Sequence, residues 1–455
     1  MLSELKPRLL PGCALALAIS TGCVSVDQEA LDARNAVQAG HPEAAVAWSE
    51  KLATDSGYSR NLGMVEAGRI RMLSGDFAAA ERWFRQAVDS AIDRKESAPK
   101  IKLGDVGNTV LASTLTDDRT REYYLEPYEL NLALEYGIIA QVLNGRKDDA
   151  LADARLACYV QDNLAETYGA DVAKSDADKT DDKQRKSADK VYAEQSAAMS
   201  DVMAGTRSSW ENPVLWWLTG VLFEADGDLN MAGQSYRRAN AVRAGNAVFS
   251  DAVARATADR RLPAVGKARL VVVYEEGLVP MRTSLKVPVP LYTMMSIDIP
   301  KYESNVAYYP TRVSISGAKT DIPAAPALDV RSLAYRDLDE RLPGIIARNI
   351  SRAAVQAGAQ TAVNYGGGNS YAKLAVFAAN TVVSAIRRAD TRSWITLPDG
   401  QQVWDDGEME PGNYRIGVNA GGRMTAVDVN LSANETRLLW IADSGASFQM
   451  AQAAL

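Results

Sequence analysis

Few residues in this sequence have the type and spacing that catalysis requires. The chain of 455 residues has one histidine, His41, which argues strongly against a histidine-based triad or metal site. The acidic run Asp405-Asp406-x-Glu408 falls between predicted strands and lacks the ligand spacing of an EF-hand loop. The motifs Gly-x-Ser-x-Gly and His-Glu-x-x-His are absent from the sequence. We therefore expect no enzyme activity, no metal and no cofactor.

The cysteine with the clearest chemical role is Cys23. Two basic residues precede an apolar run from Leu9 to Ile19, and the small residues 20–22 come directly before the cysteine. This order predicts a secretory signal, and the apolar run is shorter than the ~20 residues of a membrane span. The segment resembles a bacterial lipoprotein signal, in which the cysteine thiol is diacylated and becomes the new N-terminus. A plain signal peptide cut nearby is the alternative.

The lipoprotein resemblance implies a location as well as a modification. Residues 1–22 would be removed, and residues 23–27 would form a lipid-anchored tether. Val24 follows the cysteine, and the absence of Asp at this position implies sorting to the outer membrane, facing the periplasm. Cys13 would leave with the signal, so Cys158 would be the one unmodified cysteine and no internal disulfide could form. Cys158 sits at a packing position of a predicted helix, which favours a buried, inert thiol.

The predicted helical domain, residues 28–260, repeats one pattern of small and aromatic residues. In its clearest copy, Trp216 and Gly220 precede Gly227, and Ala232, Tyr236 and Ala239 follow at helical spacing. Further copies contain Gly68, Gly75, Ala80, Phe84 and Ala87, then Gly145 and Ala150, and a weak one begins at Gly40. The pattern and its period resemble the tetratricopeptide repeat (TPR), a helical hairpin of ~34 residues. An alanine-rich helical bundle with coincidental glycines is the alternative.

Two segments interrupt the repeats. The first contains Tyr123, Tyr124 and Tyr128, which either pack between helices or line a ligand groove. The second, residues 174–190, alternates in charge and has no large apolar residue, which predicts a solvated loop or an exposed helix.

Two longer stretches resemble a family of uncharacterised bacterial TPR-containing lipoproteins. The first stretch begins at Pro127 and the second at Glu211. The matching residues are Tyr128, Glu129, Gly145, Ala154 and Arg155, followed by Asn212, Pro213, Gly220, Gly227 and Ala232. Residues 389–394 resemble another signature of this family, in which Asp390 and Arg392 are able to pair. The family has no established activity, so the resemblance implies a fold and a location but no reaction.

The composition changes to β-type after residue 262. Leu270–Tyr274 predicts a buried strand, and short strands with turn signals follow about every ten residues, including one over 394–397. Helical periodicity over residues 338–388 predicts a helical hairpin, with Gly366–Gly368 as its connection. We thus expect an α+β chain, with a TPR-like helical repeat domain followed by a β-sandwich-like domain (263–441) with this inserted hairpin. Residues 442–455 are expected to be a C-terminal tail.

Charge and repeats together favour a binding function. The net charge of −7 argues against nucleic acid as a partner. TPR-like units present a concave groove, so we expect a non-enzymatic scaffold or adaptor that binds an envelope protein or peptide, with its acyl chains in the membrane. The alternative is a lipoprotein that binds cell-wall glycan or exported polysaccharide through exposed aromatics. These would be Tyr123, Tyr124, Tyr128 and Trp216.

Overall fold

A computed structural model describes residues 20–55, 57–93, 100–101, 121–175, 182–290, 294–317, 322–365 and 389–455. These residues form a mixed α+β fold, with eleven α-helices in the N-terminal and middle parts and sheets in the C-terminal part. Most of the predicted signal, the connection Gly366–Gly368 and the second helix of the predicted hairpin lie outside the described residues.

Ten of the helices precede the main sheets. They are α1 (Ser20–Gln38), α2 (Val46–Thr54), α3 (Arg60–Leu73), α4 (Phe77–Ala91), α5 (Pro127–Leu143), α6 (Lys147–Ser175), α7 (Asp182–Met203), α8 (Pro213–Asp226), α9 (Leu229–Val242) and α10 (Ala247–Thr257). A short 3-10 helix, Pro42–Ala45, precedes α2. Helices that follow one another pack together, except that α7 packs against α11 (Val330–Tyr365), which comes later in the chain.

Glycines shape three helical hairpins, α3–α4, α5–α6 and α8–α9. The turn glycines Gly75, Gly145 and Gly227 have φ angles of +80°, +75° and +92°, which side chains other than glycine rarely adopt. Inside the hairpins, Gly68 lies against the ring of Phe84, as Gly220 lies against Tyr236. Ala80, Ala87, Ala150, Ala232 and Ala239 are buried as well. The turn glycines therefore allow a backbone conformation that other residues rarely adopt. Gly68 and Gly220 allow an aromatic ring of the second helix to approach the first helix closely.

In the part of the chain that the structure describes, thirteen strands make up four sheets. The short strands β1 (Ile92–Asp93) and β2 (Lys100–Ile101) pair with each other, as do β4 (Arg282–Pro290) and β5 (Met294–Tyr302). A five-stranded sheet has the order β13-β12-β3-β9-β8, and a four-stranded sheet has the order β11-β10-β6-β7. The remaining bounds are β3 (Ala268–Glu276), β6 (Val313–Ser316), β7 (Ile322–Pro323), β8 (Ala325–Asp329), β9 (Gly400–Met409), β10 (Gly412–Ala420), β11 (Arg423–Leu431), β12 (Thr436–Asp443) and β13 (Phe448–Ala454).

The five-stranded sheet is the middle layer of the molecule. Its central strand β3 is parallel to β12, antiparallel to β9, and buried along its whole length. Leu270, Val272 and Tyr274 face an apolar cluster that the four-stranded sheet shares. Val271 and Val273 face a second cluster, which also contains residues of the helical hairpins. A β-branched run suits this position because both faces are covered. One face of the five-stranded sheet thus packs against the helices, and the other packs against the four-stranded sheet.

Four sequence-based expectations need correction. Residues 442–455 are not a tail, because they include β13, which pairs with β12. Residues 394–397 are not a strand, because helix side chains and not strands surround them; the strand begins at Gly400. The helix expected from residue 338 begins at Val330. For the charged segment 174–190, the loop is wrong for the described residues, which end α6 and begin α7 and so agree with the exposed-helix alternative.

The close approach at Gly220 gives a first test. A Cβ there would lie 2.5 Å from the ring of Tyr236, whose hydroxyl donates to Glu224 at 2.6 Å and so restrains the ring. We expect Gly220→Ala to lower the free energy of unfolding by about 1–3 kcal/mol. The matched control is Gly137→Ala, where the new Cβ would meet Phe84 at 3.5 Å, an ordinary contact. Denaturation of both variants measures the difference, and equal stability would contradict the close packing.

Candidate functional site

The tyrosines expected near a groove are mostly buried. Tyr123 is 4% exposed and Tyr128 is 2% exposed, whereas Tyr124 is half-buried. The Tyr123 hydroxyl donates to Glu129 at 2.7 Å, and the Tyr128 hydroxyl lies 3.4 Å from the same carboxylate. Tyr123 and Tyr128 therefore belong to the packing of the helices and do not line an open ligand groove.

The other residues singled out for chemistry lie apart from one another. Cys158 is buried within hydrogen-bonding range of Thr219 and Ser235, and burial raises the pKa of its thiol. Asp405 is buried and pairs with Arg269 at 2.7 Å. His41 is exposed beside Glu43. Cys23 lies in the first turns of α1, where the structure gives the backbone path alone.

A segment of the chain itself fills the space beside α3 and α5. Residues 393–399 are buried, although they form neither helix nor strand. The ring of Trp394 lies 6.1 Å from that of Phe84 and 6.0 Å from that of Tyr136. We call residues 393–399 the buried segment. It packs against α3 and α5 and covers part of their surface.

Buried acidic side chains hold the N–H groups of the buried segment. Glu129 on α5 accepts a hydrogen bond from Trp394 N–H at 3.2 Å. Glu66 on α3 accepts from Ile395 N–H and from the hydroxyl of Thr396, both at 2.6 Å. The segment belongs to no helix or strand, so these carboxylates supply acceptors that regular secondary structure would otherwise provide, whereas Asp399 N–H donates to the carbonyl of Glu276 on β3 at 2.8 Å.

Basic side chains hold the carbonyl groups of the same segment. Arg34 on α1 donates to the carbonyl of Ile395 at 2.6 Å. Arg69 on α3 donates to the carbonyl of Thr396 at 3.4 Å and pairs with Glu275 on β3 at 2.6 Å. Helices α1, α3 and α5 therefore bind the segment through side chains that act as hydrogen-bond acceptors and donors.

Further buried acidic groups link the helices to the sheet. Glu135 on α5 accepts from Gln401 on β9 at 2.6 Å and from Asn212 at 2.7 Å. Glu224 on α8 pairs with Arg269 on β3 at 2.7 Å. The carboxylates of α3, α5 and α8 thus all bind groups from the C-terminal half.

Burial changes the protonation of these acids. It raises the pKa of Glu66 to about 8 and that of Glu135 to about 7, and it also raises the pKa of Glu129. Perturbed acids often mark catalytic sites, because a general acid must keep its proton near neutral pH. Here, however, the carboxyl groups accept hydrogen bonds from the backbone and side chains of this chain. We assign them a structural role.

An open groove lies elsewhere, along the loop between α7 and α8. Three cavities meet there and have Arg207 in common. One of about 690 Å³ is lined by Gln161, Trp210 and Trp216, and one of about 560 Å³ is lined by residues of α7 and α11. We call the three cavities together the Arg207 groove. Trp216 is 6% exposed and contributes its edge to the wall.

Sequence reasoning identified part of these sites. It named Trp216 and paired Asp390 with Arg392, and the structure has that pair at 2.7 Å. It missed Trp210 and Gln161, which contribute to the Arg207 groove. An aromatic residue just before the helix-starting Asn212-Pro213 was the one available signal for Trp210.

Comparison of the chain with protein-family models and with curated proteins gives no significant match. Among the described residues, no group of three or more His, Cys, Asp or Glu side chains could hold a metal ion. None of the helices in the described ranges combines the length and apolar character of a membrane-spanning segment.

The raised pKa of Glu66 predicts a pH dependence of stability. Between its ordinary value of 4.5 and about 8, the folded chain holds a proton that the unfolded chain has lost. The free energy of unfolding should therefore fall as pH rises through this window, by up to about 1.4 kcal/mol per pH unit for this one group.

Glu66→Gln tests this dependence. Glutamine keeps an acceptor for Ile395 N–H and cannot ionise, so the slope of stability against pH should become shallower. Urea denaturation at pH 5, 6, 7 and 8 measures the slope. Glu43→Gln, at an exposed position, is the control and should keep the original slope. An unchanged slope in Glu66→Gln would show that Glu66 is ionised in the fold throughout.

Proposed function

We propose that this protein is a non-enzymatic, lipid-anchored scaffold of the bacterial cell envelope, attached to the outer membrane and facing the periplasm. It acts as an adaptor that binds an envelope protein or peptide. The observation that carries the proposal is the buried segment. Because this segment of the same chain covers the surface of α3 and α5, that surface serves as a structural framework. The partner is then bound on outward-facing surfaces and not beside α3 and α5.

The N-terminal sequence supports the anchored location. Basic residues, an apolar run and small residues precede Cys23 in the order of a lipoprotein signal. Diacylation would hold the chain at the membrane through its acyl chains, since each buried CH2 contributes ~0.8 kcal/mol. Attachment of the chain to the membrane then requires no membrane-spanning helix.

Two finer interpretations of the fold belong to this proposal. We interpret the hairpins as TPR-like units, which is supported by the recurring contact of a helix glycine with an aromatic ring, Gly68 with Phe84 and Gly220 with Tyr236. We interpret the four- and five-stranded sheets as a β-sandwich, which is supported by the apolar cluster that they share. The resemblance to TPR-containing lipoproteins agrees with both.

A second candidate function is binding of a glycan. Burial of Tyr123 and Tyr128 argues against the site first considered for it. The Arg207 groove favours it, because Trp210 and Trp216 line an open cavity of a size, ~300–1,000 Å³, that commonly holds small ligands.

The anchoring proposal predicts a single acylation site. Cys23→Ser should abolish incorporation of labelled palmitate and move the chain from the membrane fraction to the soluble periplasmic fraction. Cys158→Ser is the matched control and should stay labelled, because its thiol is buried between helices. Labelling that persists in Cys23→Ser would rule out this anchor.

In-cell photo-crosslinking tests the adaptor role. A photoreactive residue is placed at the exposed positions Tyr58, Tyr309 and Met424, and in the core at Phe84 as a control. We expect one envelope protein to be captured repeatedly from at least one exposed position and never from Phe84. The adaptor role fails if none of the exposed positions gives a discrete protein adduct.

A further inference from the structure

We propose that the Arg207 groove is a binding site for a neutral oligosaccharide. This inference rests on the second candidate function and deepens it by naming the site and the class of ligand. The argument uses an unpartnered buried amide, the two tryptophans, the rigidity of the loop and the balance of charge along the groove.

The first observation is an unused hydrogen-bond donor in the wall of the groove. Gln161 on α6 is 5% exposed and lines the cavity. Its Oε1 accepts from the backbone N–H of Asn212 at 3.1 Å, which fixes the orientation of the amide. Its Nε2 is buried and has no hydrogen-bond partner in the described part of the chain. A buried donor of this kind is costly unless it finds an acceptor, and a ligand hydroxyl or carbonyl oxygen would supply one.

The second observation is the pair of indole rings. Trp210 is half-buried and packs edge-on against Tyr168, with the ring centroids 5.6 Å apart. Trp216 lies below the guanidinium of Arg238, at 5.8 Å from the ring centroid. The half-buried Trp210 therefore contributes apolar ring surface on which the C–H face of a sugar ring can lie, whereas Trp216 contributes only the small part of its ring that stays exposed.

The third observation is that the loop is held in place before any ligand arrives. Asn131 on α5 donates to the carbonyl of Trp210 at 2.5 Å. Ser209 donates to Glu340 on α11 at 2.6 Å, and Arg336 donates to the carbonyl of Thr206 at 3.1 Å. A loop tied to helices on both sides loses little entropy on binding, which favours affinity.

The fourth observation is the balance of polar groups. Four arginines and four acidic residues line the three cavities, so the groove has no strong net charge. Arg207 is exposed and makes no ion pair with the described residues, and Glu211 accepts a hydrogen bond from Ser208. Each sugar hydroxyl both donates and accepts, so it fits a mixture of guanidinium, carboxylate and amide groups. A charged polymer would instead need one dominant sign.

The shape of the groove favours an oligomer over a single sugar. The cavities of about 690 Å³ and 560 Å³ both have Arg207 in their walls. A chain of several sugar rings can pass along the loop and contact both. A single ring would occupy one of them and leave the other unused.

Calorimetric titration of the full chain with three neutral tetrasaccharides tests the proposal. The N-acetylglucosamine tetramer represents cell-wall glycan, whereas cellotetraose and maltotetraose represent exported polysaccharides without acetamido groups. We expect saturable binding of at least one of them. Preference for the N-acetylated tetramer would indicate a cell-wall source, and preference for either of the others an exported polymer. Absence of binding by all three overturns the proposal.

Two variants locate the site. Gln161→Glu keeps the acceptor for Asn212 N–H but removes the free donor, and Trp210→Ala removes one ring. Each should weaken binding about tenfold or more. Tyr309→Ala, at an exposed tyrosine outside the groove, should leave the affinity unchanged. Thermal unfolding checks that each variant is folded.

The outcomes separate this proposal from the others. Saccharide binding that Gln161→Glu leaves intact would overturn the assignment of the site. Binding of a neutral peptide such as tetra-alanine, with no saccharide binding, would assign the groove to peptides instead. The titration uses purified chain, so its result does not depend on the acylation or crosslinking experiments, and a failure of either function can be recognised separately.

Discussion

Hydrogen bonding to the backbone of the buried segment is the interaction on which the arrangement of helices and sheets depends. Residues 393–399 lie in the core outside regular secondary structure, so side chains supply many of the partners of their N–H and C=O groups, beside backbone bonds such as that of Asp399 N–H to Glu276 on β3. Glu66 and Glu129 supply acceptors, and Arg34 and Arg69 supply donors. Since these four residues come from three helices, the segment fixes the position of each helix relative to the sheet.

Charged side chains are buried at this segment and also between the helices and the sheet. A buried ion is costly unless it is paired and hydrogen-bonded, and an acid often lowers that cost by keeping its proton. Both solutions occur here. Arg269 is fully buried and pairs with Glu224 and Asp405. Glu66 makes no ion pair within the described part of the chain, and burial raises its pKa to about 8. Acids with perturbed pKa values can therefore arise from the assembly of a fold as well as from catalysis.

A consequence for function is that two surfaces with aromatic residues have different roles. The surface of α3 and α5 carries Tyr123 and Tyr128, and it is closed by the chain itself. The loop before α8 carries Trp210 on a rigid support and faces an open cavity. A binding site is thus better sought on the outside of the hairpins, where exposed side chains can meet a partner.

The sequence by itself determined the local features of this protein. Gly75, Gly145 and Gly227 predicted turns because a positive φ is a property of one residue and its neighbours, and Leu270–Tyr274 predicted a buried strand from its β-branched side chains. The mixed α+β class and the change from helices to strands after residue 262 followed in the same way.

Only the tertiary structure decided which distant residues meet. The contact of Glu66 with Ile395 joins positions 329 residues apart, and no spacing in the sequence indicates it. For the same reason, residues 394–397 have the composition of a strand but are bound by side chains of helices. Gln161 became a candidate ligand-binding residue only when the structure showed that its Oε1 accepts a hydrogen bond from Asn212 N–H, which leaves its Nε2 as the unused donor. Periodicity reports which face of an element is apolar, whereas the partner of that face depends on the packing of the whole chain.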